Sequence, residues 1–158
     1  MTGASIARCR DDDLDTARLA AGDLLAARLS PQVRYVFDTF MDVDRGYFPR
    51  NGFIDRMFNP RPALRTYAAM SHLLGDGGSV EIEPVVDSSS KPARSIRFRV
   101  DGVAHVLVSG VDRAGATTMA NATGAKDLLD LCAGEFVALA AGQGEAKSGL
   151  WVLVDVAS

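Results

Sequence analysis

Apolar residues at Leu14, Ala17, Ala21 and Leu24 or Leu25 fall three or four positions apart, a stripe that predicts a helix over residues 14–29. Asp11, Asp12 and Asp13 stand where carboxylates favour a helix N-terminus, Arg28 falls in the last turn, and Pro31 stops the continuation. Those acids therefore read as caps rather than catalysts. Residues 33–40 (VRYVFDTF) change the rhythm to a nearly continuous β-branched and aromatic run, as expected of a parallel, central strand buried on both faces. Residues 41–59 turn polar and glycine-containing, with one apolar patch at 52–55, and form a long excursion at the C-terminal end of that strand. Asn59 as N-cap, Pro62 in the first turn and the stripe Ala63, Tyr67, Met70, Leu74 predict a second helix, ended by Gly75.

After the glycine-rich stretch 75–79 (GDGGS), a hinge by composition, the pattern becomes short alternating runs between turn residues. Strands are predicted at 80–86, 95–100, 103–109, 116–120, 126–131, 135–139 and 150–156, with Asp101 and Gly102 as a two-residue hairpin turn. Trp151 belongs to the core of that last strand, and Arg97 and Arg99, alternating with Ile96, Phe98 and Val100, share a solvated face. The fold class is α+β: a helix–strand–helix segment over 1–75, then a small antiparallel β-sandwich over 79–158.

Composition narrows the function. A chain of 158 residues with 47% hydrophobic content can bury a core, and a formal charge of −3 supplies no basic excess for nucleic acid. No run approaches the roughly 20 apolar residues that span a bilayer, and no basic–apolar leader opens the chain, so a cytoplasmic protein without membrane partners is expected. Cys9 and Cys132 lack the spacing of a zinc site or disulfide framework and read as free thiols.

The common catalytic and cofactor motifs fail on inspection. Asp42, Asp44 and Gly46 imitate the start of a calcium loop, but Phe53 stands where its closing glutamate belongs. Gly142, Gly144, Lys147 and Ser148 imitate a phosphate loop, but Ala141 and Ala146 replace its glycines and a strand follows. His72 and His105 have no second ligand nearby, and there is no serine nucleophile elbow. No metal and no cofactor is expected.

A buried parallel strand needs neighbours for its backbone groups, and the first half offers no other candidate. The run 35–74 (YVFDTFMDVDRGYFPRNGFIDRMFNPRPALRTYAAMSHLL) resembles the last strand, loop and helix of a retaining glycoside-hydrolase (β/α)₈ barrel. The likeness rests on Gly52, Ile54, Asp55 and Arg56, then Asn59, Pro60, Arg61, Pro62 and Ala63. The second half is similar to the β-sandwich that follows such barrels, with 126–139 (KDLLDLCAGEFVAL) as its strand pair.

The resemblance implies that Asp38, Phe40, Asp42, Asp44, Arg45 and Tyr47, at the C-terminal end of the strand, line a sugar cleft in a complete barrel. The alternative is a solvated loop in which Asp42, Asp44 and Arg45 form ion pairs of about 0–1 kcal/mol each. The family's nucleophilic glutamate ends the preceding strand, and the chain opens Met1, Thr2, Gly3 as though just beyond it; Glu81, Glu83, Glu135 and Glu145 all fall in the β half. Retaining hydrolysis needs two carboxyls roughly 5 Å apart. The expectation is a glycosidase-related segment without catalytic residues of its own, completed by another chain or by homo-oligomerisation. A non-catalytic module that binds carbohydrate or protein is the alternative.

Overall fold

The computed structural model describes residues 2–5, 13–30, 32–36, 41, 52–83, 94–139 and 149–157. Two strands, β1 (Thr2–Ser5) and β2 (Val33–Val36), are joined through helix α1 (Asp13–Leu29) and lie parallel, with Thr2 opposite Val33 and Ser5 opposite Val36. The expected parallel strand thus has a neighbour, against the expectation that the first half holds none. Its segment TGAS carries no hydrophobic period by which a strand is recognised.

Helix α2 (Pro62–Leu74) starts with Pro62 and stops at Gly75, whose N–H bonds back to the Ser71 carbonyl. Its N-cap is Arg61 rather than Asn59, because the Asn59 side chain is committed to Asp55.

Six further strands form one antiparallel sheet: β3 (Val80–Ile82), β4 (Arg94–Val100), β5 (Val103–Val111), β6 (Asp127–Asp130), β7 (Glu135–Val137) and β8 (Gly149–Val154). Their order is β3-β4-β5-β8-β6-β7. The β4–β5 hairpin turns on Asp101 (φ 50) and Gly102 (φ 83), the paired positive φ values that a two-residue turn of right-handed twist demands.

Residues 116–120, expected as a strand, lie within helix α3 (Arg113–Thr123). The Asp112 carboxylate accepts from the Gly115 N–H, and Gly124, left-handed at φ 65, returns its N–H to the Ala120 and Asn121 carbonyls. Both ends are therefore capped, and Ala116, Thr117 and Ala120 make a narrow buried stripe that lets the helix approach the sheet.

The expected sandwich is thus a single sheet, among the described residues, covered by helices on both faces. Alternate side chains of β5 and β8 point to opposite sides. Leu107, Leu150 and Val152 pack with Phe98 and Leu129 against Ala17, Ala21 and Leu25 of α1 and Met70 and Leu74 of α2. Val106, Val108, Trp151 and Leu153 pack with Leu128 against Ala116 and Ala120 of α3. The Thr66 hydroxyl of α2, fully buried, donates to the Leu131 carbonyl at 2.9 Å beyond β6, so polar as well as apolar contacts join the helical pair to the sheet.

Candidate functional site

Past β2, Met41 forms a parallel bridge with Ile54, and Ile54 forms an antiparallel bridge with Pro60. The two ends of the stretch between Met41 and Ile54 are therefore held side by side. Gly52 and Phe53 are buried, and Phe53 lies against Tyr67 of α2 with ring centroids 5.8 Å apart. The Arg61 N–H donates to the Phe53 carbonyl at 2.9 Å, fixing the start of α2 to the returning chain. The Arg61 guanidinium meets Asp13 of α1 at 3.0 Å.

Between these anchors the chain makes one tight turn organised by Asp55. One oxygen of its carboxylate accepts from the backbone N–H groups of Met57 and Asn59, each at 2.8 Å, and the other accepts from the Asn59 side-chain amide at 2.9 Å. The Asp55 N–H donates to the Asn59 carbonyl and the Phe58 N–H to the Asp55 carbonyl, both at 3.0 Å. The Asn59 amide, then the backbone donors and the Arg61 charge, hold the Asp55 carboxyl below the usual carboxylate range. A carboxylate so engaged is an organiser of backbone and a poor general base. The turn carries Met57 and Phe58 outward at 81% and 74% exposure, with Phe58 at φ 65.

Asp38, Phe40, Asp42, Asp44, Arg45 and Tyr47, the expected cleft residues, lie outside the described residues, as do Cys9 and the glycine-rich stretch 142–148. Beside them in the chain the structure describes Met41, bridged to Ile54, and the Asp55 turn. The sequence predicts an apolar patch at 52–55 and Asn59 as a helix N-cap, and does not foretell the turn that joins them.

Several other polar side chains among the described residues are engaged within the fold. Arg97 and Arg99, expected on a solvated face, are partly buried and share Glu83, whose carboxylate lies 2.7 Å from Arg97 Nε and 2.5 Å from Arg99 Nε. Their second partners are the carbonyls of Ala157 and Gly102. His105 is buried at 4% exposure beside Phe98, with ring centroids 5.3 Å apart, and its Nδ1 accepts from the Asp155 N–H at 3.3 Å. Burial pushes its pKa down, against a smaller upward pull from Asp155, so the ring is neutral with its proton on Nε2. Burial and then Asp130 push the Cys132 thiol up to about 11. Trp151 is buried, as its sequence implies, and donates through Nε1 to the Val111 carbonyl at 3.1 Å.

Among the described residues no three His, Cys, Asp or Glu side chains converge as a metal would need, and no helix is long and apolar enough to cross a membrane. Glu81 and Glu83 lie in and just beyond β3, and Glu135 in β7, at the two outer ends of the six-stranded sheet. The described part of the site positions and presents groups, its Asp55 carboxylate being taken up by hydrogen bonds from Met57 and Asn59. Compared with protein-family models and with curated protein sequences, the chain matches none.

Proposed function

We propose that the chain is the C-terminal segment of a glycoside-hydrolase-like protein, whose complete form hydrolyses glycosidic bonds and which is inactive alone. The observation that supports this reading is the succession β1–α1–β2–α2, with β1 and β2 parallel. A helix-linked pair of parallel strands is the repeating unit of barrels, and the resemblance of residues 35–74 to a barrel's closing unit falls on this part of the chain. In this reading Asp38, Phe40, Asp42, Asp44, Arg45 and Tyr47 contact sugar from the C-terminal end of β2, and the Asp55 turn frames their loop.

Among the described residues the outer edges of β1 and β2 are unpaired, which favours further parallel strands from a complementing chain or a second copy. The rival reading, a carbohydrate-binding β module, calls for a row of exposed aromatics on the sheet. Among the described residues the sheet offers Phe136 alone, while Phe98 and Trp151 are buried.

The test is hydrolysis of aryl glycosides by the chain alone and mixed with a polypeptide carrying the remaining strand–helix repeats. Turnover in the mixture alone is the expected result. Turnover by the isolated chain, lost on Asp38→Asn or Asp42→Asn, would overturn the inactive part of the proposal. Absence of turnover in both removes the glycosidase reading.

A further inference from the structure

We propose that Asp76 is a site of isoaspartate formation, at which its side chain takes over the main-chain link to Gly77 and loosens the junction between α2 and β3. The dipeptide Asp-Gly occurs twice in the chain, at Asp76-Gly77 and at Asp101-Gly102. In both, the glycine has no side chain to keep its backbone nitrogen from the preceding carboxyl, and its backbone turns freely. The reaction begins when the Gly77 nitrogen attacks Cγ of the protonated Asp76 carboxyl. A C–N bond forms, and the carboxyl OH leaves as water with the amide proton. Water then opens the five-membered imide. Where it enters at the α-carbonyl carbon, the bond from that carbon to nitrogen breaks, the nitrogen takes up a proton, and Cβ joins the main chain. One water leaves and one enters, so the mass is unchanged and no oxidant or metal is consumed.

The structure sets the two sites apart. Asp76 and Gly77 are exposed, and no described residue bonds to the Asp76 carboxylate or accepts the Gly77 N–H. A Cβ added at Gly77 would meet nothing within 4 Å, so the space for ring closure is open. Asp101 is held instead. Its carboxylate accepts from the Ser79 N–H at 2.8 Å, its own N–H donates to the Ser79 carbonyl at 3.0 Å, and it lies so close to Gly78 that a Cβ there would collide with it. The Gly102 carbonyl is held in turn by Arg99 Nη1 at 3.1 Å. Ring closure at Asp101 therefore waits on the breaking of its bonds to Ser79, and ring closure at Asp76 does not. Asp76 also lies between the Leu74 and Gly78 carbonyls, both of which accept from Arg28 Nη2, at 3.1 and 3.0 Å. An extra main-chain carbon between them lengthens a segment whose two ends a single nitrogen fixes, and so weakens the hold of α1 on the α2–β3 junction.

The experiment is prolonged warm incubation of the full chain at mildly acidic pH, folded and in guanidinium, followed by peptide mapping with fragmentation that distinguishes isoaspartate from aspartate. In the folded chain Asp76 is expected to isomerise at least about tenfold faster than Asp101, whose bonds must first break. In guanidinium the two rates should converge. Asn51-Gly52, where Asn51 lies outside the described residues, undergoes the related deamidation and is read in its own peptide. The aged folded protein is expected to show a lower urea midpoint than the fresh one. Asp76→Glu, whose longer side chain does not close the five-membered ring, should keep its midpoint on ageing. Absence of isoaspartate at Asp76, or equal amounts at Asp76 and Asp101 in the folded chain, would overturn the site. Isoaspartate at Asp76 with an unchanged midpoint would overturn the loosening of the junction.

Discussion

Arg28, in the last turn of α1, donates from Nη2 to the carbonyl of Leu74, the last residue of α2, at 3.1 Å. The same nitrogen reaches the Gly78 carbonyl at 3.0 Å. The glycine-rich stretch 75–79, a hinge by composition, is thereby pinned at both ends. Asp101 adds a second hold, exchanging bonds with the Ser79 backbone: its carboxylate accepts from the Ser79 N–H at 2.8 Å, and its own N–H donates to the Ser79 carbonyl at 3.0 Å. Arg28 also places a positive charge at the C-terminal ends of both α1 and α2, where it complements their dipoles.

Removing that guanidinium while keeping an apolar stem, as in Arg28→Met, leaves two partly buried carbonyls without their charged donor. Hydrogen bonds to charged groups contribute about 1.5–3 kcal/mol, so a loss of about 2 kcal/mol is expected. Urea denaturation followed by circular dichroism reads it as a lower midpoint. Because α1 and α2 share their core with the sheet, unfolding should stay a single transition in both proteins. A variant with the wild-type midpoint would show that the clamp adds nothing to stability.

How far the sequence discloses this fold depends on what each element is stabilised by. α1, α2 and the β4–β5 hairpin are specified locally, by apolar stripes, by Pro62 and Gly75, and by Asp101-Gly102, and all are visible in the chain. α3 misleads because its threonines and alanines offer no broad apolar stripe, although Asp112 and Gly124 mark its ends. A single sheet covered on both faces, rather than a sandwich, is written in the unbroken runs VAHVLV of β5 and LWVLV of β8. Strands with one solvated face alternate, whereas these are buried on both sides. β1 has no local signature, since its strand character comes from pairing with β2. The Asp55 turn, with its exposed, left-handed Phe58, is not legible in the chain, because it is organised by hydrogen bonds from Met57 and Asn59 to one carboxylate rather than by a local pattern.

Gly149 begins β8 beside the indole of Trp151. A Cβ at Gly149 would stand 2.6 Å from Trp151 Nε1, a separation that real Cβ atoms do not tolerate. The indole cannot easily yield, being buried and bonded to the Val111 carbonyl. Gly149→Ala is therefore expected to cost about 1–3 kcal/mol, the usual range for overpacking. Thermal unfolding monitored by Trp151 fluorescence checks it, and a melting temperature equal to the wild type would contradict the contact.

Cys132 is expected to react slowly. With its thiol pushed up to about 11 from an ordinary 9, the thiolate fraction near neutral pH is about one-hundredth of that of an unperturbed cysteine. Alkylation by iodoacetamide in a Cys9→Ser background, compared before and after unfolding in urea, should show a rate increase of about a hundredfold on unfolding. Equal rates in both states would mean that Cys132 is neither shielded nor perturbed.

His105 gives the fold a pH dependence whose sign follows from its surroundings. Burial lowers its folded pKa below the usual 6.5, so between the folded and unfolded values the unfolded chain binds more protons. This contribution to stability is complete above about pH 6.5 and declines as the pH falls toward the folded value, where it levels off. Protonation also removes the Nδ1 acceptor that receives the Asp155 N–H. Asp155, bonded in turn to Lys126, draws the imidazole partly back toward the charged form and narrows the window. Chemical denaturation at pH 5 and pH 7.5 should therefore show the protein less stable at the lower value. His105→Gln, which keeps a polar group near the Asp155 N–H and cannot titrate, should reduce that difference. An unchanged pH slope in the variant would assign the dependence to other groups and leave His105 as a packing residue alone.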